Sequence, residues 1–195
     1  MKILVIDDKK ENREAAIQLL SNHEVTTIGT YDEALNLIKQ TVADDDVLRA
    51  LGRSLRGCIT IDNEFQAKVV ELTPKFDFDI VLIDLMMPAS DRTLGHGCEH
   101  TRGVSVPYGF PLMIKVAMAH AERVKHIAIV SDVNHHNHAM SAALDPLGGY
   151  GTCGPVMMNG IPCSFIHAHL QQDGSKDWNY ALKRVISPKD VLVED

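Results

Sequence analysis

The stretch Phe78-Asp79-Ile80-Val81-Leu82-Ile83-Asp84-Leu85-Met86-Met87-Pro88 constrains this chain more than any other. The consecutive apolar residues Ile80 to Ile83 leave no polar face for water, the pattern of a strand covered on both sides in a parallel sheet. Asp84 follows where that strand ends, and in open parallel sheets the carboxyl ends of the strands are where ligands bind. Pro88 has no N–H to donate, so it is expected to stop the ladder and fix the turn beyond. Taken alone, the stretch also fits a covered strand with a merely solvated acid at its mouth.

The N-terminus repeats the pattern. Lys2-Ile3-Leu4-Val5-Ile6 reads as a second buried strand, and Asp7-Asp8 closes it. If the two strands are parallel neighbours, Asp7, Asp8 and Asp84 meet at one edge of the sheet. Carboxylates held together repel, so such a group needs a cation or a raised pKa. A hard divalent ion such as Mg2+ suits an all-oxygen site completed by waters and a phosphate.

Three motifs carry a resemblance: VIDD at Val5 to Asp8, LIDLMMP at Leu82 to Pro88, and IVSD at Ile129 to Asp132. Together they resemble the receiver domain of two-component response regulators, of which the chemotaxis response regulator is the simplest example. The resemblance implies a flavodoxin-like, doubly wound α/β fold with a parallel five-stranded sheet in the order 2-1-3-4-5.

The bounds agree with a single receiver-like domain over residues 1–195. The length suits one domain, or one domain with a large insertion, and can bury a real core. No apolar run approaches the ~20 residues of a membrane span, and with Lys2 followed by a short strand and two acids no secretory leader is expected. A formal net charge of −7 without a basic stripe speaks against nucleic-acid binding. Cys58, Cys98, Cys153 and Cys163 are dispersed with no CxxC pair, so free thiols in a reducing cytoplasm are expected.

In chain order, Glu11 to Ser21 carries Ala15, Ala16, Leu19 and Leu20 on one helical face. Val25 to Ile28 supplies a short second strand. Thr30 with Glu33 forms a capping-box pattern before a helix that buries Ala34, Leu35, Ile38 and Val42. The chain then departs from the family in an insertion at about 43–76. It holds Asp44-Asp45-Asp46, Arg49, Arg53 and Arg56, and two β-prone runs, Cys58 to Ile61 and Ala67 to Leu72, expected as a β-hairpin. The aspartate triplet reads as a solvated helix end rather than a cation site.

A second insertion, a long loop at about 89–111, begins at the acidic edge and could fold over it as a lid. Pro111 opens a helix through Leu112, Val116, Ala117, His120 and Val124. His126 to Val130 is the fourth strand and delivers Ser131 and Asp132 to the same edge. Asn159-Gly160 between Val156-Met157-Met158 and Ile161 to Ile166 is a hairpin signal, and the second arm is the fifth parallel strand. The last helix starts from a Ser175 cap and buries Trp178, Ala181, Leu182 and Val185. A short acidic tail follows, so no effector domain is expected.

Histidines form a separate pattern. His96, Cys98 and His100 from the long loop, with His135, His136 and His138 beyond the fourth strand, would gather at one rim, where Zn2+ or Fe would accept such ligands. No spacing matches a standard zinc module, and polar loop histidines are the plainer alternative.

Carried over residue by residue, the resemblance implies Asp84 as phosphoacceptor, and Mg2+ held by Asp84 with Asp7 or Asp8 and the backbone carbonyl of Met86. It implies Ser131 as the hydroxyl that bonds the phosphate and Phe165 as the switch aromatic. One position departs: receivers place a lysine three residues after that aromatic, where this chain has Ala168 between His167 and His169. A histidine, a lysine from an insertion, or a pseudo-receiver that does not switch by phosphorylation would each account for it. The favoured expectation is a stand-alone receiver, phosphorylated by a histidine kinase or phosphotransfer protein and acting on a downstream protein target. The alternatives are a metal-dependent enzyme or metal-binding protein using the histidine rim, and a purely structural interaction module.

Overall fold

A computed structural model describes residues 1–40, 76–88, 103–132 and 155–187. Its elements are β1 (Lys2–Ile6), α1 (Lys10–Leu19), β2 (Glu24–Ile28), α2 (Tyr31–Gln40), β3 (Ile80–Ile83), β4 (Met87–Pro88), β5 (Ser105–Val106), α3 (Gly109–Ala119), β6 (His126–Ser131), β7 (Val156–Met158), β8 (Ile161–His167) and α4 (Trp178–Ile186). The main sheet runs β2-β1-β3-β6-β8-β7, with every pairing parallel except the last. Its parallel part has the expected 2-1-3-4-5 order of the flavodoxin-like, doubly wound fold.

The strands sort their side chains by alternation. Leu4, Ile6, Val81, Ile83, Ile127 and Ile129 face one side, where α2 and α3 cover them with Ala34, Ile38, Leu112, Met113, Val116 and Ala117. Ile3, Val5, Ile80, Leu82, Ala128 and Val130 face the other, against Ala15 and Ala16 of α1 and Trp178, Ala181, Leu182 and Val185 of α4. Because both faces are covered, Ile3 to Ile6 of β1, Ile80 to Ile83 of β3 and Ile127 to Val130 of β6 are apolar without a break.

Several local differences from the sequence reading have plain causes. The sheet gains a sixth strand, since Asn159-Gly160 folds β7 back antiparallel onto β8 with φ of 50° and 83°, the paired positive angles of a type I′ turn. Pro88 does not end pairing altogether: Met87–Pro88 leaves the parallel ladder but pairs antiparallel with Val106 and Ser105, so the expected loop at 89–111 closes as a strand and helix from residue 105 onward. Helix α3 starts at Gly109, and Pro111 sits within its first turn, where a missing N–H costs no intrahelical bond. The cap of α4 is Asp177, whose carboxylate accepts the Tyr180 N–H at 3.0 Å; Ser175 is instead tied to Asp173. Thr30 does cap α2, its Oγ1 accepting the Glu33 N–H at 3.2 Å. The expected hairpin at 58–72 lies outside the described residues.

Candidate functional site

The carboxyl ends of β1, β3 and β6 lie side by side. Ile6 is in register with Ile83 and Ile83 with Ile129, so Asp7 and Asp84 leave the sheet together beside Val130 and Ser131, which stay paired with β8, and Asp132 follows them. The first step past the strands is still ladder-bonded: the Asp84 N–H donates to the Ile6 carbonyl at 2.7 Å and the Asp7 N–H to the Ile28 carbonyl at 3.0 Å. These acids are therefore fixed by the sheet rather than by a loop.

An ammonium stands between them. Lys176 Nζ donates to Asp7 Oδ2 at 2.7 Å, to Asp84 Oδ1, and to the Val130 carbonyl at 3.0 Å, so all its donors are used. Lys176 is 1% exposed, Asp7 0% and Asp84 5%. This corrects the reading of Ala168 as the site of a missing partner. The ammonium comes neither from a histidine nor from either insertion, but from Lys176 in the turn between β8 and α4. Ala168 is packed in the α1–α4 core, and the His169 ring stacks on Tyr180 at 3.8 Å.

The chain reaches this arrangement through a compact turn. Leu170 bridges Lys176, Gly174 takes φ of +85°, and Asp173 Oδ1 accepts both the N–H and the hydroxyl of Ser175. Asn12 of α1 then locks the lysine to the acids. Its Oδ1 accepts the Lys176 N–H at 3.0 Å, while its Nδ2 donates to both oxygens of Asp7 at 3.0 Å. Trp178 Nε1 donates to the Asn12 carbonyl at 2.8 Å, so the α4 end is anchored to the same residue. The sequence reading missed Asn12 and Lys176. A signal existed: Lys176 is the sole Lys or Arg between Lys125 and Lys183.

Arg13, next to Asn12, holds the backbone of the acid pair. Its Nη1 donates to the carbonyls of Asp7 and Asp8 at 2.8 and 2.7 Å. Gly29 gives the guanidinium room, since a Cβ there would lie 2.9 Å from Arg13 Cζ. At the other side, a Cβ on Gly109 would lie 2.5 Å from the Asp84 carbonyl oxygen, so α3 can press against the Asp84 turn only because residue 109 has no side chain.

Electrostatics follow from two carboxylates sharing one ammonium. Burial and the charge of Asp7 push Asp84 up to about 7, even though Lys176 pulls it down. Burial also works against the Lys176 charge, but Asp84 and Asp7 outweigh it and hold the ammonium above its usual range. Asp8 is raised by burial and by neighbouring Asp7. At the rim, burial pushes Asp132 up, but the hydrogen bond from Lys9 together with the charges of Lys176 and Lys9 keeps its carboxyl low.

The expected site residues divide as follows. Asp7, Asp8, Asp84 and Ser131 sit at neighbouring strand ends, and Ser131 is fully buried with its carbonyl accepting the Ala168 N–H at 2.8 Å. Met86 continues the Asp84 turn, partly buried against the α2–α3 core. Phe165 lies on β8 with its ring 5.6 Å from that of Phe110, the residue after Gly109. His96, Cys98, His100, His135, His136 and His138 all lie outside the described residues. Among the described residues, no three His, Cys, Asp or Glu side chains converge as a ready-made metal cage. Asp7 already accepts from Asn12, Lys176 and the Lys9 N–H. The donor set that remains is Asp8, Asp84 and the Met86 carbonyl, all oxygen, which fits a Mg2+ ion that keeps several waters.

The structure thus defines a doubly wound α/β domain with an acid-lysine cluster at the carboxyl edge of its sheet. No family model and no curated protein matches the sequence. Among solved structures, the chain is similar to the response regulator protein TrrA from Thermotoga maritima in complex with Mg2+ and BeF, at a TM-score of 0.45 and 14% identity over 94% of this chain and 96% of that one. It is also similar to the Mn2+-bound form of the response regulator Rcp1, at a TM-score of 0.47 and 10% identity over 94% and 91%. The fold assignment itself rests on this chain's own strand order.

Proposed function

We propose that this protein is a receiver that accepts a phosphoryl group on Asp84 and signals through protein contacts. The observation that supports it is Lys176: one buried ammonium bridges the carboxylates at the ends of β1 and β3. A structural ion pair needs only one acid, whereas this cluster leaves one carboxylate in excess at a ligand-binding edge. In the proposed reaction an Asp84 oxygen attacks phosphorus, a P–O bond forms, and the bond to the donor breaks with its electron pair leaving on the donor. Lys176 then moves its hydrogen bond from the carboxylate to a phosphoryl oxygen, and Ser131 offers its hydroxyl to another. A Mg2+ ion held by Asp8, Asp84 and the Met86 carbonyl would supply neutralising charge for the phosphoryl group.

The donor in this reading is a histidine kinase or phosphotransfer protein, and the readout is a downstream protein target. Modification replaces the single charge of the carboxylate by a nearly dianionic phosphoryl group at a buried point, enough to rearrange hydrogen bonds that Asp84 now makes. Contact from the Asp84 turn through Gly109 and Phe110 to Phe165 offers a physical route to the edge strands. Intact mass after incubation with Mg2+ and acetyl phosphate tests the proposal. One added phosphoryl group on wild type and none on Asp84→Asn is the expected result; an unmodified wild type counts against receiver chemistry.

A further inference from the structure

Asp84 is covered by a second ionic contact, distinct from the Lys176 cluster. Lys9 follows β1 through Asp7 and Asp8, Asp132 follows β6, and β3 lies between those two strands in the sheet. Lys9 Nζ donates to Asp132 Oδ2 at 2.8 Å, joining residues 123 positions apart. The pair therefore runs from one neighbour of β3 to the other, across the end from which Asp84 emerges. It is built differently from the interior cluster, with the Lys9 side chain 54% exposed and that of Asp132 14% exposed.

That difference gives the pair a distinct capability. A pair whose lysine is half exposed contributes less to stability than a fully buried one and is cheaper to open. A phosphate dianion is a better partner for an ammonium than a partly solvated carboxylate, because charge-assisted bonds to its several oxygens can form at once. Both members also feel the acceptor: Asp84 attracts Lys9, and Asp132 repels the charge on Asp84. Lys176 cannot take this part in recruitment, since its three donors are engaged inside.

We infer that the Lys9–Asp132 pair is an access strap over Asp84 that selects a dianionic phosphodonor. Asp132 holds Lys9 down and repels the donor. Lys9, once exchanged from Asp132 to the donor's phosphate, draws it toward Asp84. The inference rests on the reading of Asp84 as phosphoacceptor and adds residues that control entry. Its signature is that the two partners of one ion pair act with opposite sign, which a merely structural bridge would not do.

The test is the initial rate of phosphoryl gain, read by intact mass with acetyl phosphate and Mg2+, in wild type, Asp132→Asn, Lys9→Ala and Lys9→Arg. The expected result is a rate about fivefold faster for Asp132→Asn and about fivefold slower for Lys9→Ala, the size of one screened charge interaction near a surface. Lys9→Arg should restore most of the wild-type rate, and with Lys9→Ala it decides the matter if Asp132→Asn does not fold. Equal rates in all variants, or losses of the same size for both partners, overturn the strap and leave the receiver reading standing. Phosphoryl gain in none of the variants and none in wild type overturns both readings.

Discussion

The two lysine-carboxylate contacts at the sheet edge use the same chemistry to opposite ends. Lys176 sits among Asp7, Asp84 and the Val130 carbonyl with almost no solvent, and every donor is assigned. Lys9 and Asp132 make one bond at the rim with water on the lysine side. In the interior, removing one partner leaves an uncompensated charge, so geometry is enforced. At the rim, water replaces a lost partner, so the contact can exchange. The comparison teaches that burial, more than the identity of the ions, decides whether an ion pair is a fixture or a gate.

The largest break in this comparison should come from Lys176→Met. Asp7 and Asp84 would then lie buried without a cation, and urea unfolding should report a loss of about 3–5 kcal/mol at pH 8. The loss should be smaller at pH 5, where Asp84 can take a proton. A loss equal at both pH values would show that packing, not charge, is what the lysine supplies.

Proton linkage is the next test. His126 is 7% exposed, its Nε2 lies 2.8 Å from Ser164 Oγ, and burial pushes it down to about 4. The folded state binds fewer protons there than the unfolded chain, so stability is lost as pH falls from about 6.5 toward about 4, by ~3 kcal/mol in full. Asp84 acts oppositely: its folded value of about 7 lies above the usual 3.8, so the folded state holds the extra proton and stability is lost as pH rises through that window. The two slopes offset each other in wild type. Asp84→Asn should unmask a steeper acid loss, and His126→Gln a stability that rises on acidification; an unchanged profile in both variants would remove the linkage argument.

Between the paired acids the expected effects are smaller. Asp7→Asn should cost about 1–3 kcal/mol, since the bond to Asn12 is disturbed and Lys176 loses one acceptor. Asp8→Asn should leave stability within about 0.5 kcal/mol, because it removes none of the buried Asp7 contacts. Its effect should fall on Mg2+ affinity, measured by calorimetric titration, and wild-type affinity should drop about tenfold per pH unit below about 7 as Asp84 protonates. Lys9→Ala should likewise be small, altering unfolding stability by less than about 1 kcal/mol.

Much of this was legible in the sequence. Three apolar runs ending at Asp7, Asp84 and Ser131-Asp132 define parallel strands and their ligand edge, because strands covered on both faces carry no alternation. Asn159-Gly160 fixed a hairpin through backbone sterics alone. Lys176 was not legible as a partner of Asp84, because a side chain delivered by a turn after the last strand obeys no periodicity. Asn12 was hidden for a related reason: on a helix built from Lys10 to Leu19, one more polar residue looks solvated, and only the three-dimensional meeting of α1 with the β8–α4 turn buries it. Asp8 and Asp7 were indistinguishable as neighbours until Asn12 and Lys176 claimed one of them.

Lys176 joins Asp7 across 169 positions and Asp84 across 92. During synthesis the two acids leave the ribosome long before their ammonium does. Until Lys176 arrives, the ends of β1 and β3 carry mutually repelling carboxylates, so the early half of the sheet is held back from closing or kept partly protonated. The edge is completed only once the turn after β8 has been made. Without that turn β1 and β3 can still pair, yet their acids meet without the ammonium, so the ligand edge depends on a residue far from the strands that build it.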